Sequence, residues 1–554
     1  MTRELSPQHD SFVRDHLPKP DNLPAFPGVA RHAGVLNCVS FLLDVHLDGP
    51  IANRVAIKSG ARSWTYQQLG QYVGQMACVL TQNYGVKPGN RVLLRGANSP
   101  EIAALWLAIQ KIGAVGVVSM SQLRAGELAT MIDHAKPILA VCDGDITGEL
   151  ATALGLADTP CQLLTFTEEG GPLFDEMSLK SSDCQTCQTL ADDASIIAYT
   201  SGTTGAPKAT VHFHRDILAI CETVCRHIIR PTATDVFIGT APLAFTFGLG
   251  GLLIFPLYVG ASTVLNARYN AQSFAAAIAQ YRASVCFTVP TFYQRMLQSG
   301  DTLSLKTLRL AVSSGEALPQ TVRDLWHDQT GVALTEVLGS TEMLHAFAGA
   351  YGSAIRPGRI GPAIPGYELA ILDDTGGVLA PGQQGHLAVK GPTGCRYLDD
   401  PRQGDYVQGG WNLTGDICEM DQDGSIAYVA RADDMIISAG YNISGLEVEN
   451  ALLTHPDVAE CAVTGLADNK RGQIVVAFVV SAQAKNLASI IQLQDHVQRL
   501  IAPYKYPRRI IFVDALPRNE SGKLQRFRLK SPDAHGPTTE FSPSVSPIKT
   551  ASQS

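Results

Sequence analysis

Between residues 270 and 345, short apolar runs alternate with amphipathic helical patterns. The apolar runs are VCFTVP (285–290), LRLAVSSGE (308–316) and VALTEVLGSTE (332–342), and the last two end in small polar residues. Continuously apolar strands separated by helices are typical of a parallel sheet that is covered on both faces. Ligands bind beyond the carboxyl ends of such strands. The pattern therefore predicts an α/β fold with a site at the SSGE and GSTE segments.

The sequence pattern changes twice in the rest of the chain. After about residue 366, short strands and Gly-rich turns indicate a small β-rich subdomain. After Arg431, apolar strands and the amphipathic helix LASIIQLQDHVQRLI predict a compact α+β domain of about a hundred residues. The last residues, 531–554, have little large apolar content, and we expect them to be disordered. At 554 residues the chain is too long for one core.

Composition excludes several classes of function. A net charge of -8 argues against nucleic-acid binding, which needs a basic face. The N-terminus lacks the apolar stretch of a signal peptide, so we expect a cytoplasmic protein whose twelve cysteines are free thiols. The pair Cys184 and Cys187 has no partner pair at zinc spacing. The uncharged run 244–265 contains Gly residues and Pro256, which favours buried core over a membrane span.

The stretch TSGTTGAPK (200–208) has the composition of a phosphate-binding loop. Glycines let backbone amides approach a ligand closely, Ser and Thr hydroxyls donate to oxyanions, and Lys208 adds a positive charge. The spacing differs from the Walker P-loop, which opens a helix. Here an extended pattern follows, and the next helical pattern starts near Asp216. An ordinary surface turn is the alternative interpretation of the loop alone.

Five separate motifs occur in order along the chain. They are YTSGTTGAPK (199–208), GSTE (339–342), TGD (414–416), ARADDMIISAGYNISGLEVE (430–449) and PRNESGKLQR (517–526). Over residues 50–530 the chain thereby resembles the adenylate-forming enzymes, which include acyl- and aryl-CoA synthetases, peptide synthetase adenylation domains and luciferases. The sequence more closely resembles those of 2-aminobenzoate–CoA and benzoate–CoA ligases in the segments 14–18, 91–100, 212–220, 242–257, 281–291 and 339–347.

The resemblance implies the fold and the reaction. The expected fold is a large N-terminal AMP-binding domain, 1–432, made of doubly covered parallel sheets with a β-rich subdomain, followed by a small mobile α+β domain, 433–530. The expected activity is an acid–thiol ligase that uses ATP, CoA and Mg²⁺ and an aryl carboxylic acid. Phosphoryl chemistry of this kind needs positioning and charge neutralisation rather than an enzyme nucleophile. An acceptor on a separate carrier protein is the alternative to CoA.

The resemblance also assigns nucleotide-site residues. The residues expected to bind the phosphates are Thr200, Ser201, Gly202, Thr203, Thr204, Gly205 and Lys208. Those expected to contact adenine and the α-phosphate are Gly315, Glu316, Ala317, Leu338, Gly339, Ser340 and Thr341. Glu342 is expected to bind Mg²⁺, although a buried Glu–Arg pair is the alternative. Asp416, assisted by Arg431, would accept hydrogen bonds from the ribose hydroxyls. Leu338 stands where the family often has an aromatic residue, so apolar packing replaces stacking on adenine.

The remaining assignments concern the acid, the thiol and the charge that develops during transfer. Candidates for the acid pocket are Phe245, Phe247, Thr291, Ser314, Gly339 and His345. A satisfied core histidine and plain core aromatics are the alternatives for His345 and Phe247. Lys523 would stabilise charge between the carboxylate and the α-phosphate. Asp433 matches the hinge, and Gly440 and Tyr441 would lie on the face that admits the thiol.

Overall fold

The computed structural model describes residues 6–26, 34–168, 170–200, 207–300, 305–315, 318, 320–431, 436–443, 445–481, 486–517 and 526–530. The chain divides into two units: the first comprises residues 1–200 and 207–432, and the second comprises 433–554 together with the segment 201–206. The strands of the first unit are β1 (Val55–Ser59), β2 (Arg62–Thr65), β3 (Arg91–Arg95), β4 (Val115–Ser119), β5 (Leu139–Asp143), β6 (Gln162–Phe166), β7 (Ala194–Thr200), β8 (Lys208–Phe213), β9 (Val236–Gly239), β10 (Ser262–Val264), β11 (Val285–Thr288), β12 (Leu310–Ser313), β13 (Leu334–Gly339), β14 (Ala346–Gly349), β15 (Glu368–Leu372), β16 (Gln384–Lys390), β17 (Val407–Gln408), β18 (Trp411–Met420) and β19 (Ile426–Arg431). Its α-helices are α1 (Phe12–Asp15), α2 (Cys38–Leu42), α3 (Tyr66–Gln82), α4 (Pro100–Lys111), α5 (Ala125–Ala135), α6 (Thr147–Leu156), α7 (Pro172–Met177), α8 (His214–Ile220), α9 (Thr246–Leu249), α10 (Phe255–Tyr258), α11 (Ala271–Tyr281), α12 (Pro290–Ser299), α13 (Gln320–Thr330) and α14 (Gln403–Tyr406).

An eight-stranded sheet carries the segments that the sequence singled out. Its strand order is β14-β13-β12-β11-β9-β10-β1-β2. The strands from β13 to β1 run parallel, and the antiparallel strands β14 and β2 form the two edges. After β9, the next strand in the sequence, β10, lies on one side of β9, whereas β11, β12 and β13 lie on the other side. The order in which the strands are added therefore reverses between β9 and β11. That reversal is where open α/β sheets bind ligands, and the predicted strand–helix alternation is confirmed.

A six-stranded sheet carries the predicted phosphate loop between its strands β7 and β8. Its strand order is β6-β5-β3-β4-β7-β8. Its strands are parallel except β8, which pairs antiparallel with β7 and sets Thr200 opposite Lys208. The residues between them, 201–206, lie outside the described ranges. Extended structure up to Phe213 is as predicted, whereas the next helix begins at His214 rather than near Asp216. A third sheet, β15-β16-β18-β17 with β19 on β18, is the predicted β-rich subdomain.

The apolar run 244–265 forms a buried helix and strand. α9 and α10 are joined by the π-helical segment Gly250–Ile254, and β10 follows. The residues Leu252 to Phe255 are fully buried. Among the described residues, no helix is both long and apolar enough to cross a bilayer.

The second unit contains one mixed sheet. Its strands are β20 (Ile436–Ser438), β21 (Tyr441–Ile443), β22 (Glu460–Asp468), β23 (Gly472–Val480) and β24 (Arg509–Phe512), and its helices are α15 (Gly445–Leu453), α16 (Leu487–Leu500) and α17 (Arg526–Leu529). The strand order is β21-β20-β23-β22, with β24 parallel to β23. Buried apolar residues of β22, β23, α15 and α16 form its core. The α+β composition agrees with the prediction for this part of the chain.

Candidate active site

Lys208 lies at the start of β8, at the end of the predicted phosphate loop. Its Nζ is 5.2 Å from the ring centroid of Tyr397 and 5.0 Å from that of Tyr406. The hydroxyl of Thr200, opposite Lys208 in the β7–β8 pair, is buried and has no hydrogen-bond partner among the described residues. A buried hydroxyl without a partner is costly unless a ligand satisfies it. Thr200 and Lys208 therefore form a pair suited to an oxyanion, at one end of the loop.

Glu342 lies in a 3₁₀ turn, Thr341–Met343, directly after β13. Its side chain is buried, and the hydroxyl of Tyr397 donates a hydrogen bond of 2.7 Å to Oε1. Within the described part of the chain, no Lys, Arg or His lies within 4 Å of this carboxylate. The alternative of a buried Glu–Arg pair is thus wrong for the described residues. A buried carboxylate with one neutral donor is poorly compensated, and a divalent cation with oxygen preference fits it.

His212, in β8, fixes this turn to the six-stranded sheet. The Nε2–H of His212 donates to the carbonyl oxygen of Thr341 at 2.7 Å. His212 Nδ1 is 3.6 Å from the carboxylate of Asp216, and this carboxylate accepts a hydrogen bond from Arg396 at 2.8 Å. Burial alone would raise the pKa of Asp216, but Arg396 and its neighbours outweigh this and hold the pKa well below its usual value. The turn is therefore tied to the strand that carries Lys208.

The residue that follows the turn has a strained backbone. Leu344 has φ 65° and ψ −33°, a conformation that non-glycine residues rarely adopt. It lies between Glu342 and His345 in sequence, and it is fully buried. Strain of this kind persists where the surroundings over-determine the conformation, and it is common at active sites.

His345 lies within a cluster of aromatic rings. Its ring centroid is 4.8 Å from Phe255, 5.7 Å from Phe247 and 6.5 Å from Phe287. The side chain is buried, and neither ring nitrogen has a hydrogen-bond partner among the described residues. Burial lowers the pKa of His345 to about 3, so the ring is neutral. The Phe247 backbone is close enough to the ring to raise this pKa slightly, but the described residues give neither nitrogen a hydrogen bond of ordinary geometry.

Two glycines let the helix that contains the π segment approach this aromatic cluster. A Cβ at Gly250 would lie 2.4 Å from Cδ2 of His345 and 2.9 Å from its Nε2. A Cβ at Gly251 would lie 2.4 Å from Cδ1 of Phe287. Helical turns of the π type are rare and often mark functional sites. Gly250 and Gly251 therefore set how closely the helix packs on the rings.

Five of the other predicted residues lie at or just after the ends of β12 and β13. Ser314 donates to the carbonyl of Val337 at 2.9 Å, and Gly315 has φ 88°. Leu338 is half-buried against the core, and the Gly339 backbone lies so close to His345 that a Cβ would be 2.4 Å from its carbonyl oxygen. The next residue, Ser340, accepts a hydrogen bond from the backbone of Met343.

The rest of the predicted residues lie away from these strand ends. Asp416 is buried and its backbone pairs with Arg431 across β18 and β19. Phe245 precedes α9 and is half-buried, and Thr291 lies in α12. Gly440, with φ 80°, and Tyr441 belong to the second unit, where Tyr441 stacks on Tyr504 at 4.1 Å. The predicted residues outside the described ranges are Ser201, Gly202, Thr203, Thr204, Gly205, Glu316, Ala317, Asp433 and Lys523.

Three residues of the site, Tyr397, His212 and Gly250, were not predicted from the sequence. Tyr397 is in the segment CRYLDD, which carries no signal of its own because its partners are distant in sequence. His212 lies in HFH, where alternation places it on one face of a strand, but this pattern does not reveal the turn that it contacts. Gly250 was visible only as part of a glycine-rich run.

Comparisons with known proteins identify the family of the chain. Residues 48–396 match the model of the AMP-binding enzyme family, and residues 447–523 match that of the AMP-binding enzyme C-terminal domain. The chain is 34% identical over 480 residues to a benzoate–CoA ligase of Thauera aromatica, covering 85% of this chain and 91% of the relative. It is similar to the crystal structure of the anthranilate CoA ligase AuaEII in complex with anthranoyl-AMP, with TM-score 0.71, 30% identity and coverage of 90% and 98%. A benzoate CoA ligase from Burkholderia xenovorans LB400 aligns with TM-score 0.69, 29% identity and coverage of 90% and 100%.

Proposed function

The chain belongs to the AMP-binding enzyme family, and we propose that it joins an aryl carboxylic acid, 2-aminobenzoate or a substituted benzoate, to CoA. It is an acid–thiol ligase of the AMP-forming type. The observation that carries the aryl substrate is the aromatic cluster of Phe247, Phe255 and Phe287 around His345, next to the Glu342 turn. Aromatic rings offer offset and edge contacts to a flat ring substrate.

In the first half-reaction, an oxygen of the carboxylate attacks the α-phosphorus of ATP. The bond to the β-phosphate oxygen breaks, which yields the acyl-adenylate and pyrophosphate. Thr200 and Lys208, with the loop between them, hold the phosphate oxygens and neutralise their charge. Mg²⁺ held by Glu342 would supply further charge neutralisation when bound. Asp416 with Arg431 binds the ribose, and Lys523 stabilises the negative charge between carboxylate and α-phosphate.

In the second half-reaction, the CoA thiol adds to the acyl carbon, loses its proton and displaces AMP. Asp433 is the hinge for the change between the two halves, and Gly440 and Tyr441 line the path of the thiol. Neutral His345 has one donor and one acceptor nitrogen, so it can donate to the acid's carboxylate or accept from an ortho-amino group.

The test is acid-dependent release of pyrophosphate from ATP and Mg²⁺. The panel contains 2-aminobenzoate, benzoate, hydroxybenzoates, phenylacetate and medium-chain fatty acids, each with and without CoA, and Lys523→Ala is the matched control. We expect aryl acids to give strong release that becomes multiple-turnover only with CoA. Release with the adenylate retained despite CoA would indicate a carrier-protein acceptor. Preference for fatty acids, or a wild type that matches the control with every acid, would refute the aryl ligase.

A further inference from the structure

One tyrosine contacts both of the opposite charges at the candidate nucleotide site. The ring of Tyr397 faces Lys208, whose Nζ is 5.2 Å from the centroid, while its hydroxyl donates to Glu342 Oε1 at 2.7 Å. A tyrosine can make both contacts at once because the ring face attracts cations and the hydroxyl donates to anions. Of the two rings near Lys208, Tyr397 has a hydrogen bond to Glu342, whereas the hydroxyl of Tyr406 donates to the carbonyl of Thr414.

Lys208 and Glu342 carry opposite charges on the two sides of Tyr397. Glu342 is buried and Lys208 is half-buried, so water only partly screens their attraction. Among the described residues, however, no carboxylate lies within 4 Å of Lys208 Nζ. A direct pair would withdraw the lysine from phosphate oxygens and the carboxylate from a cation at the same time.

Tyr397 is itself held firmly. Backbone hydrogen bonds join its neighbours to β8, from Val211 to Arg396 and from Leu398 to Ala209, each 2.8 Å long. The backbone N–H of Tyr397 donates to Gln403 at 2.8 Å.

We propose that Tyr397 is a positioning residue that separates Lys208 from Glu342 and so keeps one available for phosphate and the other for a divalent cation. This inference rests on the proposed function, because it takes the nucleotide and metal roles of those two residues from there. The ring and the hydroxyl of Tyr397 have different roles. The ring keeps the Lys208 ammonium apart from the Glu342 carboxylate, and the hydroxyl orients that carboxylate.

Three variants of the full chain separate these roles. Tyr397→Phe keeps the ring and removes the hydroxyl, Tyr397→Leu removes both, and Tyr406→Leu removes a ring that contacts Lys208 but not Glu342. Calorimetry measures binding of ATP without metal, and of Mg²⁺ in the presence of α,β-methylene ATP. Acid-dependent pyrophosphate release is measured in parallel.

The expected results differ between the variants. Tyr397→Phe weakens Mg²⁺ binding by about tenfold, as for loss of a charged hydrogen bond, and leaves metal-free ATP binding within about twofold. Tyr397→Leu weakens both by about tenfold or more, and Tyr406→Leu weakens ATP alone. The inference is wrong if Tyr397→Phe leaves Mg²⁺ binding unchanged, or if Tyr406→Leu changes it as much. If the Leu variant does not fold, the comparison of Tyr397→Phe with Tyr406→Leu still decides. A wild type that binds MgATP but activates no aryl acid contradicts the proposed function, not this inference.

Discussion

Adding one methyl group at Gly250 tests whether the aromatic cluster binds the acid. The new Cβ of Gly250→Ala would lie 2.4 Å from Cδ2 of His345, about 1 Å short of an ordinary contact. The imidazole must therefore shift by about 1 Å. Misplacement of that size costs about 100-fold in rate, which corresponds to about 2.7 kcal/mol of transition-state stabilisation.

Stability changes less than activity in this variant. Overpacking a core costs about 1–3 kcal/mol, but alanine is better than glycine in a helix by about 1 kcal/mol. The net loss is about 0–2 kcal/mol, which leaves the protein folded. Gly126→Ala in α5 is the matched control, because nothing lies within 4 Å of a Cβ there.

The assay is kcat/KM for the best aryl acid, together with KM for ATP and the Tm. We expect Gly250→Ala to lose about 100-fold in kcat/KM for the acid with KM for ATP within about twofold, while Gly126→Ala matches the wild type. A folded Gly250→Ala variant whose kcat/KM for the acid is within threefold of wild type would refute the placement of the acid beside His345.

Three further predictions concern charge. Burial holds the pKa of His345 and of His214 at about 3, whereas both titrate near 6.5 when unfolded. The unfolded chain therefore takes up protons first as pH falls, and these two residues lower the free energy of unfolding between pH 6.5 and 3, by up to about 1.4 kcal/mol per pH unit each. Urea titrations at pH 7, 6 and 5 measure this loss. If the free energy of unfolding of His214→Gln changes with pH as steeply as that of the wild type, the prediction is wrong. Arg396→Met removes the nearest cation from the buried Asp216 carboxylate and leaves Arg215 at 3.6 Å, so it should cost up to about 3 kcal/mol by thermal unfolding, with partial recovery when Asp216→Asn is added, and equal Tm values for both variants would argue against the pair. Lys208→Ala should raise KM for ATP by about tenfold and Lys208→Arg by less, and a normal KM in the Ala variant would remove Lys208 from the phosphate site.

The fold was predictable where the sequence repeats a local pattern. β11, β12 and β13 and their helices follow from apolar runs that end in Thr288, Ser313 and Gly339, because periodicity is a local property. The same logic placed the GSTE segment, which contains Glu342, beyond the carboxyl end of β13, whereas the roles of Glu342 and His345 were expected from the family resemblance.

The contacts that complete the site were not predictable in this way. Tyr397 reaches Glu342 across 55 positions and His212 reaches Thr341 across 129. Neither contact is implied by helix or strand periodicity, because each joins elements from different sheets. The role of Gly250 depends on a π-helical turn, and glycine-rich sequences give no indication of where such a turn occurs.

The pairing of Asp216 with Arg396 has a consequence for how the protein is synthesised. The two residues are 180 positions apart, so a ribosome that adds about 5–20 residues per second produces the arginine about 10–40 s after the aspartate. Until then, the Asp216 carboxylate has Arg215 at 3.6 Å but lacks the closer Arg396, so the cost of burying its charge is offset only in part. The strands β1 and β2 likewise wait for β10, which is translated after the entire six-stranded sheet. The first unit is thus expected to close as a whole after about residue 400 has left the ribosome, and nascent chains shorter than this are expected to depend on chaperones.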